Sequence, residues 1–279
     1  MEPSKTAEIV AAHRTDVGQK RSSNQDAVGE YQRADGHRLF VVADGMGGHR
    51  GGETASALAV QRIGEIFESS DAPPNELLPV AFQMANTEIR SRAAADASLA
   101  GMGTTGVAIH ITPEREAWIA HVGDSRAYLL RGGQLELLTA DHSVVGEMCR
   151  RGLISAEEAA VHPRRNELLR SIGSAEEVDV DVAMLRLLPG DHLLLCSDGL
   201  HGVVDEIEIV DAMEGETPRS AAERLIGLAN AAGGPDNITA LAIRVPGAFP
   251  EELEGRRGLS LVALALLSAT ALLVAYLTL

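Results

Sequence analysis

Leu39-Phe-Val-Val-Ala-Asp44-Gly45-Met46-Gly47-Gly48 is an apolar run that ends on a carboxylate and then on glycines. β-Branched and aromatic residues over 39–43 predict a buried strand. The glycines after Asp44 give a backbone that turns easily and lets an ion approach closely. Asp-Gly after a strand is usually a plain turn, but here the design recurs. Leu193-Leu-Leu-Cys-Ser-Asp198-Gly199 is a second apolar strand delivering Asp-Gly, and Gly234-Pro-Asp236-Asn237 is a third acidic turn. Aspartates delivered this way suit hard divalent cations, which take carboxylate, carbonyl and water oxygens.

The surrounding composition narrows the class. The chain has 279 residues, 45% of them hydrophobic, with 28 glycines and only 3% aromatics, which suits a globular core of Ala, Val, Leu and Ile. A formal charge of −16 argues against nucleic acid as a partner. The only lysines, Lys5 and Lys20, sit in no Gly-x-x-x-x-Gly-Lys loop, so a P-loop nucleotide site is absent. The two cysteines, Cys149 and Cys196, form no Cys-x-x-Cys pair, and neither has an arginine six positions on, as a thiolate phosphatase loop would. They read as buried structural thiols in a reducing compartment. Met1 to Lys5 opens no apolar run, so no secretory signal is expected.

Strands are expected over 7–14, 39–43, 106–111, 116–122, 126–130, 135–139, 178–182, 192–196 and 237–245. Helices are expected over 53–67, 76–95, 205–213 and from 220 to Gly233. Residues 141–175 read as a mobile excursion holding one short helix, opened by the capping box Ser155-Ala-Glu-Glu158. Strands and helices come in blocks rather than in regular βα alternation. The expectation is therefore α+β, an antiparallel β-sandwich flanked by helices, over residues 1–245. Residues 246–257 form an acidic linker. From Gly258 to Leu279 no side chain is charged, and as a helix this segment spans roughly 33 Å. It reads as a transmembrane tail, with Arg256-Arg257 placing the globular part at the cytoplasmic face of the cell membrane.

The motifs together resemble those of the metal-dependent protein serine/threonine phosphatases of the PP2C (PPM) family in its bacterial form. In order they are Asp16-Val-Gly18-Gln-Lys-Arg21-Ser-Ser-Asn24-Gln25-Asp26, Val42-Ala-Asp44-Gly45-Met46-Gly47-Gly48, Gly101-Met-Gly-Thr-Thr105 and His121-Val-Gly-Asp124-Ser125-Arg126. Thr139-Ala-Asp-His142-Ser143, Leu195-Cys-Ser-Asp198-Gly199 and Gly234-Pro-Asp236-Asn237-Ile-Thr239 complete the series. The resemblance implies an α-β-β-α layered fold and two Mn²⁺ or Mg²⁺ ions, with a weaker third metal in bacterial members. By likeness, Asp44 bridges both metals and Gly45 gives its carbonyl to the second. Asp198 and Asp236 ligate the first, and Asp124 with Asp198 holds the third. Asp26 resembles the acid that orients water, and Arg21 the arginine that grips the substrate phosphate, which its planar fork suits. His162 and Arg164 fall in the flap beside the site and are candidates to touch substrate. Met46 stands where some members carry a histidine proposed as general acid, and Gln25 replaces a Glu.

The resemblance implies hydrolysis of phosphoserine and phosphothreonine on proteins by a metal-bridged water. A membrane-bound serine/threonine kinase is a sensible substrate for a tethered enzyme. Two other readings stay open here: a non-catalytic phosphoprotein-binding adaptor, and a small-molecule phosphomonoesterase.

Overall fold

The computed structural model describes residues 8–247. The expected tail over 258–279, and nearly all of the linker before it, lie outside the described residues. Among the described residues no helix is long and apolar enough to cross a membrane.

Two antiparallel sheets stack face to face. One contains β2 (Asp26–Gln32), β3 (Arg38–Met46), β5 (Gly106–Ile111), β6 (Glu116–Val122) and β9 (Asp181–Arg186), in that order, with β4 (Gly103–Thr104) paired to the end of β3. The other runs β1 (Val10–Asp16), β11 (Ile238–Arg244), β10 (His192–Cys196), β7 (Arg126–Arg131) and β8 (Gln134–Leu137). Helices α1 (Gly48–Ser69) and α2 (Pro74–Ala95) cover the first sheet, and α6 (Glu206–Met213) and α7 (Pro218–Ala231) cover the second. Short helices α3 (Val144–Arg150), α4 (Ala156–Ala160) and α5 (Asp198–His201) lie in the connections.

This layering explains the apolar runs. Phe40 and Val42 point into the core between the sheets, with Leu195, Leu241 and Ile243 opposite. Leu39, Val41 and Ala43 point the other way, against Ala59, Ile63 and Phe82 of α1 and α2. A strand buried on both faces has no wet side, so its sequence does not alternate. Each fully buried Leu, Ile, Val or Phe adds about 1.5–3 kcal/mol relative to an exposed one.

The α+β sandwich expectation agrees with this architecture, and several boundaries differ. β2 was not anticipated as a separate strand, because Gly29 and the polar positions around it hide its pattern. It pairs residue for residue with β3, setting Asp26 opposite Asp44. The alternating Val178, Val180 and Val182 lean on the α1–α2 core, but the ladder itself begins at Asp181. α1 begins at Gly48, well before Glu53. The excursion after Thr139 holds two short helices, and Ser155 and Glu158 do form the capping box of the second.

Candidate active site

The aspartates gather at one end of the sandwich, where both sheets deliver them. β2 and β3 bring Asp26 and Asp44 from one sheet. Asp198, at the start of α5 just past β10, and Asp236, just before β11, come from the other. Asp124 lies in the turn that carries the chain from β6 to β7 and so from sheet to sheet. Asp44, Gly45, Asp124, Asp198, Asp236 and Arg21 line a single cleft of about 570 Å³. Asp26 stands behind it.

Backbone contacts fix Asp44. Its N–H donates to Thr105 Oγ1 at 2.9 Å, and its carbonyl accepts from the Thr105 N–H at 2.8 Å and the Thr104 hydroxyl at 2.8 Å. Gly45 has no room for a side chain: a Cβ there would stand 2.1 Å from the Gly52 carbonyl oxygen. Asp26 Oδ2 accepts from Ser197 and Thr239, both at 2.7 Å, which ties it to the opposite sheet. The loop before it is pinned by Asn237, whose amide donates to the Val17 carbonyl (3.0 Å) and the Ser23 carbonyl (2.9 Å). Asn237 Oδ1 accepts from the Gln25 N–H at 2.8 Å.

The electrostatics are those of negative charges crowded out of water. Burial, with Asp26, Asp198 and Asp124 nearby, pushes the Asp44 carboxyl well above the usual carboxylate range. Burial also lifts Asp26 to about 7, against the pull of its two hydroxyl donors. Asp124 rises to about 7 through burial and the neighbouring Asp198 and Asp141. Asp198 is raised by burial and then by Asp236. Oδ1 of Asp26 and Oδ1 of Asp198 are buried with no hydrogen-bond partner. A buried, unpartnered carboxylate oxygen is costly, and a cation satisfies it. The donor set and these orphaned oxygens therefore fit hard divalent ions.

Arg21 reaches into the cleft, where Nη2 donates to Asp236 Oδ2 at 2.6 Å. The flap's contribution is Asn166, Glu167, Leu168 and Ser171. His162 and Arg164, the candidates named from the sequence, do not line the cleft. Arg164 is turned to Glu167 in a bidentate pair, both bonds 2.6 Å, and its N–H donates to His162 Nδ1. Thr105, Ser197, Thr239 and Asn237 were not singled out as site residues from the sequence. Their positions become meaningful only when the two sheets meet.

Stacked antiparallel sheets with buried, clustered carboxylates at one end define the class as a protein built around a site suited to hard divalent cations. The comparisons carry this to a family. A Protein phosphatase 2C model matches residues 16–233. The serine/threonine phosphatase stp of Listeria monocytogenes is 42% identical over 239 residues, covering 84% of this chain and 94% of that protein. The solved serine/threonine phosphatase of S. agalactiae superposes with a TM-score of 0.80 at 37% identity, covering 85% of this chain and 99% of that one. The catalytic domain of the phosphatase PstP, solved in complex with two manganese ions, matches with a TM-score of 0.77 at 34% identity, covering 86% and 99%. The chain belongs to the PP2C family and is a protein serine/threonine phosphatase.

Proposed function

We propose that this chain hydrolyses phosphoserine and phosphothreonine on proteins with two Mn²⁺ or Mg²⁺ ions held by its clustered aspartates. The observation that carries the reading is the cluster itself: Asp44 among Asp26, Asp198 and Asp124, with Oδ1 of Asp26 and Oδ1 of Asp198 buried and unpartnered. Asp44 faces both halves of the cluster and would bridge the ions, with the Gly45 carbonyl beside it. Asp198 and Asp236 would complete one ion's shell, and Asp124 with Asp198 would hold a weaker third. When bound, the ions supply an acidified, oriented water and screen the phosphate's charge.

The other residues act on the substrate and its surroundings. Arg21 is placed to take a phosphate oxygen with its free guanidinium edge. Asp26, held by Ser197 and Thr239 behind Asp44, orients water on the cleft's inner side. His162 and Arg164 would meet the protein substrate only from the outer rim of the flap. With Met46 in the cleft wall, the leaving serine or threonine oxygen finds no imidazole acid at that position.

The uncharged segment 258–279 is read as a transmembrane tether; with Arg256-Arg257 before it, such a tether would hold the domain at the cytoplasmic face and near membrane-bound kinases as substrates. Detergent partitioning of the full chain against residues 1–247 tests the tether.

The central test is hydrolysis of a phosphothreonine peptide with Mn²⁺, with EDTA, and by Asp44→Asn. A neutral amide cannot bridge two dications, so the variant's kcat should drop by about 10³-fold or more. Wild-type turnover by that variant would rule out the bridging role. Equal rates on sugar phosphates and phosphopeptides would favour the small-molecule reading.

A further inference from the structure

Outside the aspartate cleft, His121, His142 and Asp181 bring ligand-type atoms within 4.8 Å of one another, the arrangement of a small metal site. Here a cation from the chain itself fills it. Arg170 Nη1 donates to Asp181 Oδ1 at 2.7 Å and lies 3.4 Å from His142 Nε2. His142 is 3% exposed and stacks on His121, with ring centroids 4.6 Å apart.

The two ring nitrogens of His142 face different parts of the site. Nδ1 accepts from the Gly123 N–H at 3.3 Å, so in the neutral ring Nε2 carries the proton and points to Asp181 Oδ2, 3.3 Å away. Gly123 is the residue before Asp124, in the turn from β6 to β7. Asp181 holds Arg170, which sits in the segment whose Glu167, Leu168 and Ser171 form the outer wall of the cleft. The main chain of His142 repeats the link. Its N–H donates to the Gly123 carbonyl at 2.8 Å, and its carbonyl accepts from the Leu169 N–H at 2.7 Å.

We infer that His142 is a positioning residue whose Nδ1 sets the turn carrying Asp124 and whose Nε2, through Asp181 and Arg170, sets the substrate-facing wall of the cleft. One ring thereby serves two places by separate nitrogens, the turn of the weak cation position and the surface that meets the protein substrate. This rests on the reading of Asp124 as a cation ligand and of the flap as the peptide's contact.

The two arms separate by substitution. His142→Asn places an amide oxygen where Nδ1 was, keeping an acceptor for Gly123 but failing to reach Asp181. His142→Gln places an amide N–H where Nε2 was, keeping Asp181 but leaving the Gly123 N–H without an acceptor. The Asn variant should raise KM for a phosphothreonine peptide about fivefold, the factor one lost hydrogen bond carries. Its KM for p-nitrophenyl phosphate, too small to touch the wall, and its weak-site Mn²⁺ affinity by calorimetry should stay at wild type. The Gln variant should weaken that Mn²⁺ step about fivefold and leave the peptide KM in place.

Asp181→Asn, which weakens the hold on Arg170 (kept in part by Asp179) and on His142 Nε2 but leaves the Nδ1 bond to Gly123 in place, should reproduce the Asn pattern and serves if His142→Asn does not fold. Both variants shifting both readouts together, or neither shifting either, would overturn the inference. A wild-type enzyme indifferent to Mn²⁺ would instead overturn the function on which it rests.

Discussion

At the scale of single residues, the site is set by where protons go. Asp26 and Asp124 are each pushed up to about 7, chiefly by burial, from an ordinary carboxyl value of 3.8. Between those values the folded protein binds more protons than the unfolded chain. The stability these two groups contribute is therefore full below 3.8 and is lost as pH rises through about 7. A cation entering the cluster must expel the protons. Calorimetric Mn²⁺ titrations at about pH 6.5, in two buffers of different ionisation enthalpy, should register proton release that fades by about pH 8. No release at the lower pH would mean that these carboxyls are already ionised before the cation enters, against the upward shift burial gives them. Asp44, Asp198 and Asp236 were legible in the sequence because each follows or precedes an apolar strand at a glycine-marked turn. Ser197, Thr239 and Thr105 were not, since a hydroxyl in or beside a strand carries no pattern until the sheet opposite supplies its partner. Arg164 stays out of the cleft wall for a local reason the sequence does not announce: Glu167, three positions on, pairs with it.

At the scale of elements, one carboxylate far from the cleft ties strands together. Asp191 is fully buried and receives Arg131 Nε at 2.9 Å and Nη2 at 2.6 Å. Oδ2 also accepts from the Leu188 N–H, the Asp191 carbonyl accepts from the Val245 N–H, and Arg131 Nη2 donates to the Arg186 carbonyl. The ends of β7, β9, β10 and β11 thus meet at one ion pair. Arg131→Met would strand a buried charge and should cost about 3 kcal/mol in urea unfolding. Arg131 lies five residues along β7 from Arg126, roughly 16 Å from the cleft end, so kcat should not change. A loss below 1 kcal/mol would show the pair to be screened. Nothing in the sequence pairs Arg131 with Asp191, 60 positions apart, whereas the elements they join were mostly readable. β5, β6 and β10 stand where their apolar runs begin and end. β2 escaped because it is half-buried and interrupted by Gly29, and β9, expected over 178–182, stands at Asp181–Arg186 because its valines pack before its hydrogen bonds start.

At the scale of the whole molecule, the cluster lies across the junction of two sheets. Asp26 and Asp44 belong to one, Asp198 and Asp236 to the other, and Asp124 to the crossing between them. Inside each sheet the ladders are complete, and the apolar core between the sheets is held by non-directional burial. At the cleft end the sheets meet as like charges, joined directly by the Ser197 and Thr239 bonds to Asp26 and by the Arg21–Asp236 pair. Divalent ions there would act as staples between layers. Mn²⁺ at a hundredfold excess over its Kd should stabilise the fold by about 2.7 kcal/mol through mass action alone. The location of the gain is the sharper expectation. Hydrogen exchange with Mn²⁺ against EDTA should slow at the ends of β3 and β10, at α5 and in the loop 17–25. The opposite end of the sandwich, around His37, His110 and the Arg131–Asp191 pair, should exchange at the same rate in both. Uniform slowing would mean that the ions stabilise the whole domain without fastening the junction, and protection confined to one sheet would place the ions on that sheet alone.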